Sequence, residues 1–72
     1  MSQETATILG HEVVYDTSIY EGGVRYLARL SHPEAKIFFD TAYYKGSAIF
    51  ENHMGGKYKL SHANGAYQLI KA

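Results

Sequence analysis

Seventy-two residues suffice for one domain around one small hydrophobic core. Seven acidic and seven basic residues leave no formal net charge, which argues against a dedicated polyanion binder. The absence of cysteine excludes disulfide staples and thiolate-bound zinc, and no apolar stretch approaches the ~20 residues that span a bilayer.

The balance of charge is uneven along the chain. Residues 1–44 carry six acids and three bases, and residues 45–72 carry one acid and four bases. Met1 to Gly10 has neither a basic start nor a long apolar run, so no signal peptide is expected and a reducing cytoplasm is the expected compartment. Aliphatic residues are few for a domain of this size. Seven tyrosines add large apolar bodies to the core.

In chain order, residues 1–6 are polar and are expected to be disordered. Thr7-Ile8-Leu9 reads as a short strand, with Gly10 as a bulge or bend. Glu12 to Leu30 reads as a long hairpin around Gly22-Gly23. A two-residue turn there would pair Glu21 with Val24, Ile19 with Tyr26, Asp16 with Arg29 and Tyr15 with Leu30. That register sorts Val13, Tyr15, Tyr26 and Leu30 onto one face. It puts Val14, Asp16, Tyr20, Arg25, Leu27 and Arg29 on the other. A helical Val24 to Leu30 is the rival, disfavoured by the glycine pair and the alternation.

Ser31-His32-Pro33-Glu34 has the pattern of a helix start: serine at N-cap, glutamate three residues on, and proline in the first turn. Ala35, Phe38, Phe39 and Ala42 then recur at helical spacing. Lys36 and Asp40 form an i,i+4 pair. Gly46 is placed to end the helix, which is expected over Pro33 to Lys45.

The last third reads as a three-stranded meander. Asn64-Gly65 between two alternating runs is the strongest short hairpin signal, because a type I′ turn needs φ > 0 at both central residues. It sets Ala63 opposite Ala66, His62 opposite Tyr67 and Leu60 opposite Leu69. The preceding strand, Ser47 to Asn52, is expected to join through a three-residue loop, Met54-Gly55-Gly56. Glu51 then faces Lys59 and Phe50 faces Leu60. The inner face is Ala48, Phe50, Tyr58, Leu60, Tyr67 and Leu69. The outer face is Ile49, Glu51, Lys57, Lys59, Gln68 and Ile70.

The expected fold is therefore α+β: a small single domain over 1–72, ordered ββαβββ, with a five-stranded, mainly antiparallel sheet and one helix on one face. One helix is only about 10 Å across, and five strands span about 24 Å. The uncovered inner surface should then curl or meet a partner.

Four histidines, His11, His32, His53 and His62, are scattered. His53 and His62 fall at opposite ends of one strand, too far apart to share a metal, so no metal site is expected. Ser31 reads as a cap and Glu34 as its partner, so no catalytic residue is assigned and no cofactor is expected. Gly55-Gly56-Lys57 lacks the spacing of a phosphate-binding loop. Two non-catalytic readings lead, and a small enzyme is the third, which a buried, strongly shifted histidine in a deep pocket would revive. The first is an interaction module that self-associates as a homodimer through an apolar trace on the outer sheet face: Val14, Leu27, Ile49 and Ile70. The second is a nucleic-acid binder using Arg25, Arg29, Lys57 and Lys59 on the same face, although that face offers few aromatics for base stacking.

Overall fold

Helix α2 (His32–Lys45) forms where its sequence signals place it. Ser31 takes the extended N-cap conformation, and Pro33 sits in the first turn, where its missing N–H costs nothing. The expected serine cap is replaced by another bond: the Ser31 hydroxyl donates to the Glu34 carboxylate at 2.8 Å, and the Ala35 N–H reaches the Ser31 carbonyl at 3.0 Å. Gly46 closes the helix at φ 94°, a left-handed conformation that an L side chain resists, and its N–H bonds the Ala42 carbonyl at 2.9 Å. Ala35, Phe39 and Ala42 are buried, Phe38 is half-buried, and Lys36 pairs with Asp40 at 2.7 Å on the outer side.

The computed structural model describes residues 3–72. Its five strands are β1 (Gln3–Ile8), β2 (His11–Asp16), β3 (Ser47–Glu51), β4 (Lys57–Ala63) and β5 (Ala66–Lys71). They form one sheet in the order β1-β2-β5-β4-β3. Three neighbouring pairs are antiparallel, and the central β2–β5 pair is parallel. The α+β class and the five-stranded, mainly antiparallel sheet are as expected.

Strand β1 corrects the expected disorder of residues 1–6. Residues 3–6 lie in the strand, and residues 1 and 2 fall outside the described part of the chain. The hairpin to β2 turns at Leu9 (φ 52°) and Gly10 (φ 78°), so Leu9 belongs to a type I′ turn and not to a strand. Leucine in that conformation costs on the order of 1–2 kcal/mol, which is why Leu-Gly is a weak signal compared with Asn-Gly.

The hairpin expected over Glu12 to Leu30 is half right. Strand β2 ends at Asp16, and the rest is helical: a 3₁₀ turn at Thr17–Ile19, a π-helical turn at Tyr20–Val24, and helix α1 at Arg25–Arg29. Asp16 does not face Arg29. Its carboxylate accepts the Ser18 N–H at 2.9 Å and caps the first turn. The same bond, seconded by the Ser18 hydroxyl, holds the Asp16 carboxyl below the usual carboxylate range.

The glycine pair explains the outcome. Gly22 and Gly23 lie against the Tyr58 ring. A Cβ on Gly22 would overlap the Tyr58 hydroxyl, and one on Gly23 would sit 3.0–3.1 Å from the ring and 3.2 Å from Leu69 Cδ2. They are glycines so that a helical turn can settle on the sheet, not so that the chain can reverse. Val24 and Leu27 are then fully buried, and Tyr26 and Leu30 half-buried. This helical stretch joins α2 as a second cover. The inner face is consequently closed: Tyr15, Phe50, Tyr58, Leu60, Tyr67 and Leu69 are all buried. The inference that one helix leaves the inner face open does not hold.

The C-terminal hairpin has the expected register, Ala63↔Ala66, His62↔Tyr67 and Leu60↔Leu69, with Asn64 at φ 54° and Gly65 at φ 77°. Between β3 and β4 the register is two residues away from the expected one: Glu51 faces Lys57, Phe50 faces Tyr58 and Ile49 faces Lys59. A shift of two preserves which side chains point inward, so the inner and outer sets are as expected. The loop is longer than three residues because Asn52 leaves the strand to organise it.

Candidate functional site

Among the described residues, Asn52 is the one polar residue buried with the core. Its side-chain oxygen accepts the N–H of Met54 at 3.0 Å and of Gly56 at 2.8 Å, and its own N–H reaches the Gly56 carbonyl at 2.8 Å. Its amide nitrogen donates to the Gly22 carbonyl at 2.8 Å. One side chain thus shapes the β3–β4 loop and ties it to the π-helical turn, and no buried side-chain polar atom among the described residues lacks a partner.

The tie creates a cleft. It has a volume of about 530 Å³ and lies between α1 and the β3–β4 loop. Arg25 and Arg29, one helical turn apart, line one wall, and His53 and Met54 line the other. Tyr26, Leu30 and Asn52 complete the lining, with Glu21 and Gly22 at the π-helical turn. Tyr26 stacks on Phe50 at 5.9 Å with the rings 14° from parallel, and its ring centre is 6.1 Å from that of His53. Arg25 pairs with Glu21 at 2.8 Å on the surface. Arg29 has no acidic partner among the described residues.

A second cluster closes another part of the core. His11 stacks on Phe39 at 4.8 Å and meets Tyr67 at 5.0 Å, while His62 lies 4.7 Å from Tyr67 and 4.9 Å from Tyr43. Burial pushes the Tyr67 hydroxyl up from the usual tyrosine value, with smaller contributions from Asp40 and Tyr43. These imidazoles work as flat packing groups. No three His, Asp or Glu side chains among the described residues converge on a common point that could hold a metal.

The open face of the sheet carries part of the expected apolar trace. Ile49, Lys59 and Ile70 stand in one cross-strand row, with Ile49 63% and Ile70 40% exposed. Val14 lies opposite Gln68 in the next row and is half-buried. Leu27 is not on this face. It is fully buried in α1 on the other side of the sheet and is withdrawn from the trace.

The expected basic set is likewise divided. Lys57 and Lys59 are on the open face, whereas Arg25 and Arg29 are on α1, which covers the opposite face. The four do not form one footprint for a nucleic-acid strand. The cleft was missed in the sequence because its walls are brought together by the helical turn and by Asn52. The Glu21–Arg25 spacing, i,i+4, was the available sign that this stretch is helical.

No helix among the described residues is long and apolar enough to cross a membrane. Comparison with known proteins supplies no relative: no protein-family model, curated protein or solved structure matches the chain.

Proposed function

We propose that the chain is a non-catalytic interaction module that self-associates through the open face of its sheet. The observation that carries this reading is the row Ile49–Lys59–Ile70, in which two exposed aliphatic side chains flank a half-buried lysine on a face that no helix among the described residues covers. The lysine stem can lie along the apolar surface and still lead its ammonium group to the rim. Val14, diagonal to Ile70 across the β2–β5 pair, extends the patch toward the centre of the sheet. A second copy turned about a two-fold axis presents the same surface back to the first.

Size sets the strength. Five strands at ~4.8 Å and six residues at ~3.3 Å give a face on the order of 500 Å² in projection, below the roughly 800 Å² per partner of a standard stable interface. The reading therefore implies a weak, concentration-dependent dimer. Sedimentation or light scattering from tens to hundreds of micromolar should show the mean mass rising toward two chains. Ile49→Lys and Ile70→Lys should each return it to one chain with an unchanged circular dichroism spectrum, since both side chains are exposed. A mass of one chain across the whole range would refute self-association.

A further inference from the structure

We infer that the cleft between α1 and the β3–β4 loop binds a small organic anion: a phosphate monoester whose molecule also bears a flat ring, as a nucleoside monophosphate does. Charge gives the first half of the argument. Two arginines line the cleft from one helix face, and the single carboxylate in the lining, Glu21, is engaged by Arg25. Arg29 keeps its full fork of donors, among the described residues, and that planar fork matches two phosphate oxygens at once. His53 offers a ring N–H from the opposite wall.

Shape and polarity give the second half. A volume of about 530 Å³ lies within the roughly 300–1,000 Å³ of small-molecule sites. It exceeds what an inorganic phosphate fills. The remaining lining is suited to a planar apolar body: Tyr26 presents a half-buried ring, and Leu30 and Met54 form aliphatic walls. Met54 is 83% exposed, and its flexible side chain can adapt to the face of a planar group. The π-helical turn that supplies Glu21 and Gly22 is a rare conformation that recurs at functional sites. A ligand here would be read by two arginines on a rigid helix and by a loop fixed at Asn52, so the site is preformed.

The site lies across the molecule from the open sheet face, so the inference stands apart from self-association. A titration of the ¹⁵N-labelled chain at physiological ionic strength tests it, using adenosine monophosphate, adenosine and inorganic phosphate as separate probes. The Ile49→Lys variant serves as a second background in which the dimer contact is removed. The monophosphate should bind in both backgrounds with a dissociation constant below about 1 mM, and adenosine and phosphate should each bind about tenfold or more weakly. Amide shifts should be confined to residues 21–30 and 52–54. Arg29→Gln and His53→Gln, both at exposed positions, should weaken the monophosphate severalfold, while Lys59→Gln should not. The inference is overturned by any of three results: a monophosphate no tighter than phosphate alone, shifts centred on Lys57 and Lys59, or undiminished binding in both cleft variants. Binding of an RNA oligonucleotide without binding of the mononucleotide would also overturn it.

Discussion

Removing the Asn52 side chain should unfasten the loop from the helical cover. Asn52→Ala deletes three hydrogen bonds, to Gly22, Met54 and Gly56, at a residue only 9% exposed. At about 1 kcal/mol net for each bond the loss is about 3 kcal/mol, out of the roughly 4–11 kcal/mol that a domain of this length holds. The corresponding fall in melting temperature is roughly 12–24 °C. Asn52→Asp separates the two jobs of the side chain. A carboxylate still accepts from Met54 and Gly56, so the loop keeps its shape. It cannot donate to the Gly22 carbonyl, and it places a negative charge against that oxygen. The cost should be about 1–3 kcal/mol, with amide shifts moving at residues 20–24 and the Met54 and Gly56 amides keeping their protection from hydrogen exchange. The chain has no tryptophan, so urea melts followed by far-ultraviolet circular dichroism are the suitable assay. An Asn52→Ala variant within about 0.5 kcal/mol of the parent would refute the role given to this side chain.

Gly22→Ala should destabilise by about 1–3 kcal/mol, because the added methyl overlaps the Tyr58 hydroxyl; glycine-to-alanine in an unobstructed helix would instead stabilise by roughly 0.5–1 kcal/mol. Tyr58→Phe in the same chain should recover part of the loss, and a Gly22→Ala variant more stable than the parent would refute the close-packing argument. Among the seven tyrosines, Tyr15 and Tyr67 should ionise later than ordinary tyrosine in an absorbance titration. Burial raises both, with Glu4 and Tyr20 adding at Tyr15, and Asp40 and Tyr43 adding at Tyr67. A folded-state value above the unfolded one means that this contribution to stability is complete below the ordinary tyrosine range near ~10 and is lost as pH rises through the folded values. Tyr67→Phe should therefore lessen the alkaline loss of stability, and seven tyrosines titrating together at the ordinary value would contradict it.

Local chemistry alone fixes the parts of this protein where one short stretch has one low-energy option. Asn64-Gly65 favours the left-handed pair that a type I′ turn needs, so the β4–β5 register follows from two residues. Ser31-His32-Pro33 and Gly46 mark the two ends of α2, and the spacing of Ala35, Phe38, Phe39 and Ala42 marks its buried side. The inner and outer faces of the meander were legible too, because strand alternation tolerates a register slip of two without exchanging them. Residues 17–29 had two options. Val24, Leu27 and Leu30 fit a helix, and the alternating run fits a strand. Gly22-Gly23 serves equally as a hairpin turn or as a place where backbone meets a ring. Tyr58 decided between them, by lying where only glycine lets the chain settle. Asn52 decided the loop in the same way, through a partner 30 residues away in the chain. Both decisions depend on contacts between residues distant in sequence. The separation of Arg25 and Arg29 from Lys57 and Lys59 follows from them, as does the cleft they leave beside α1.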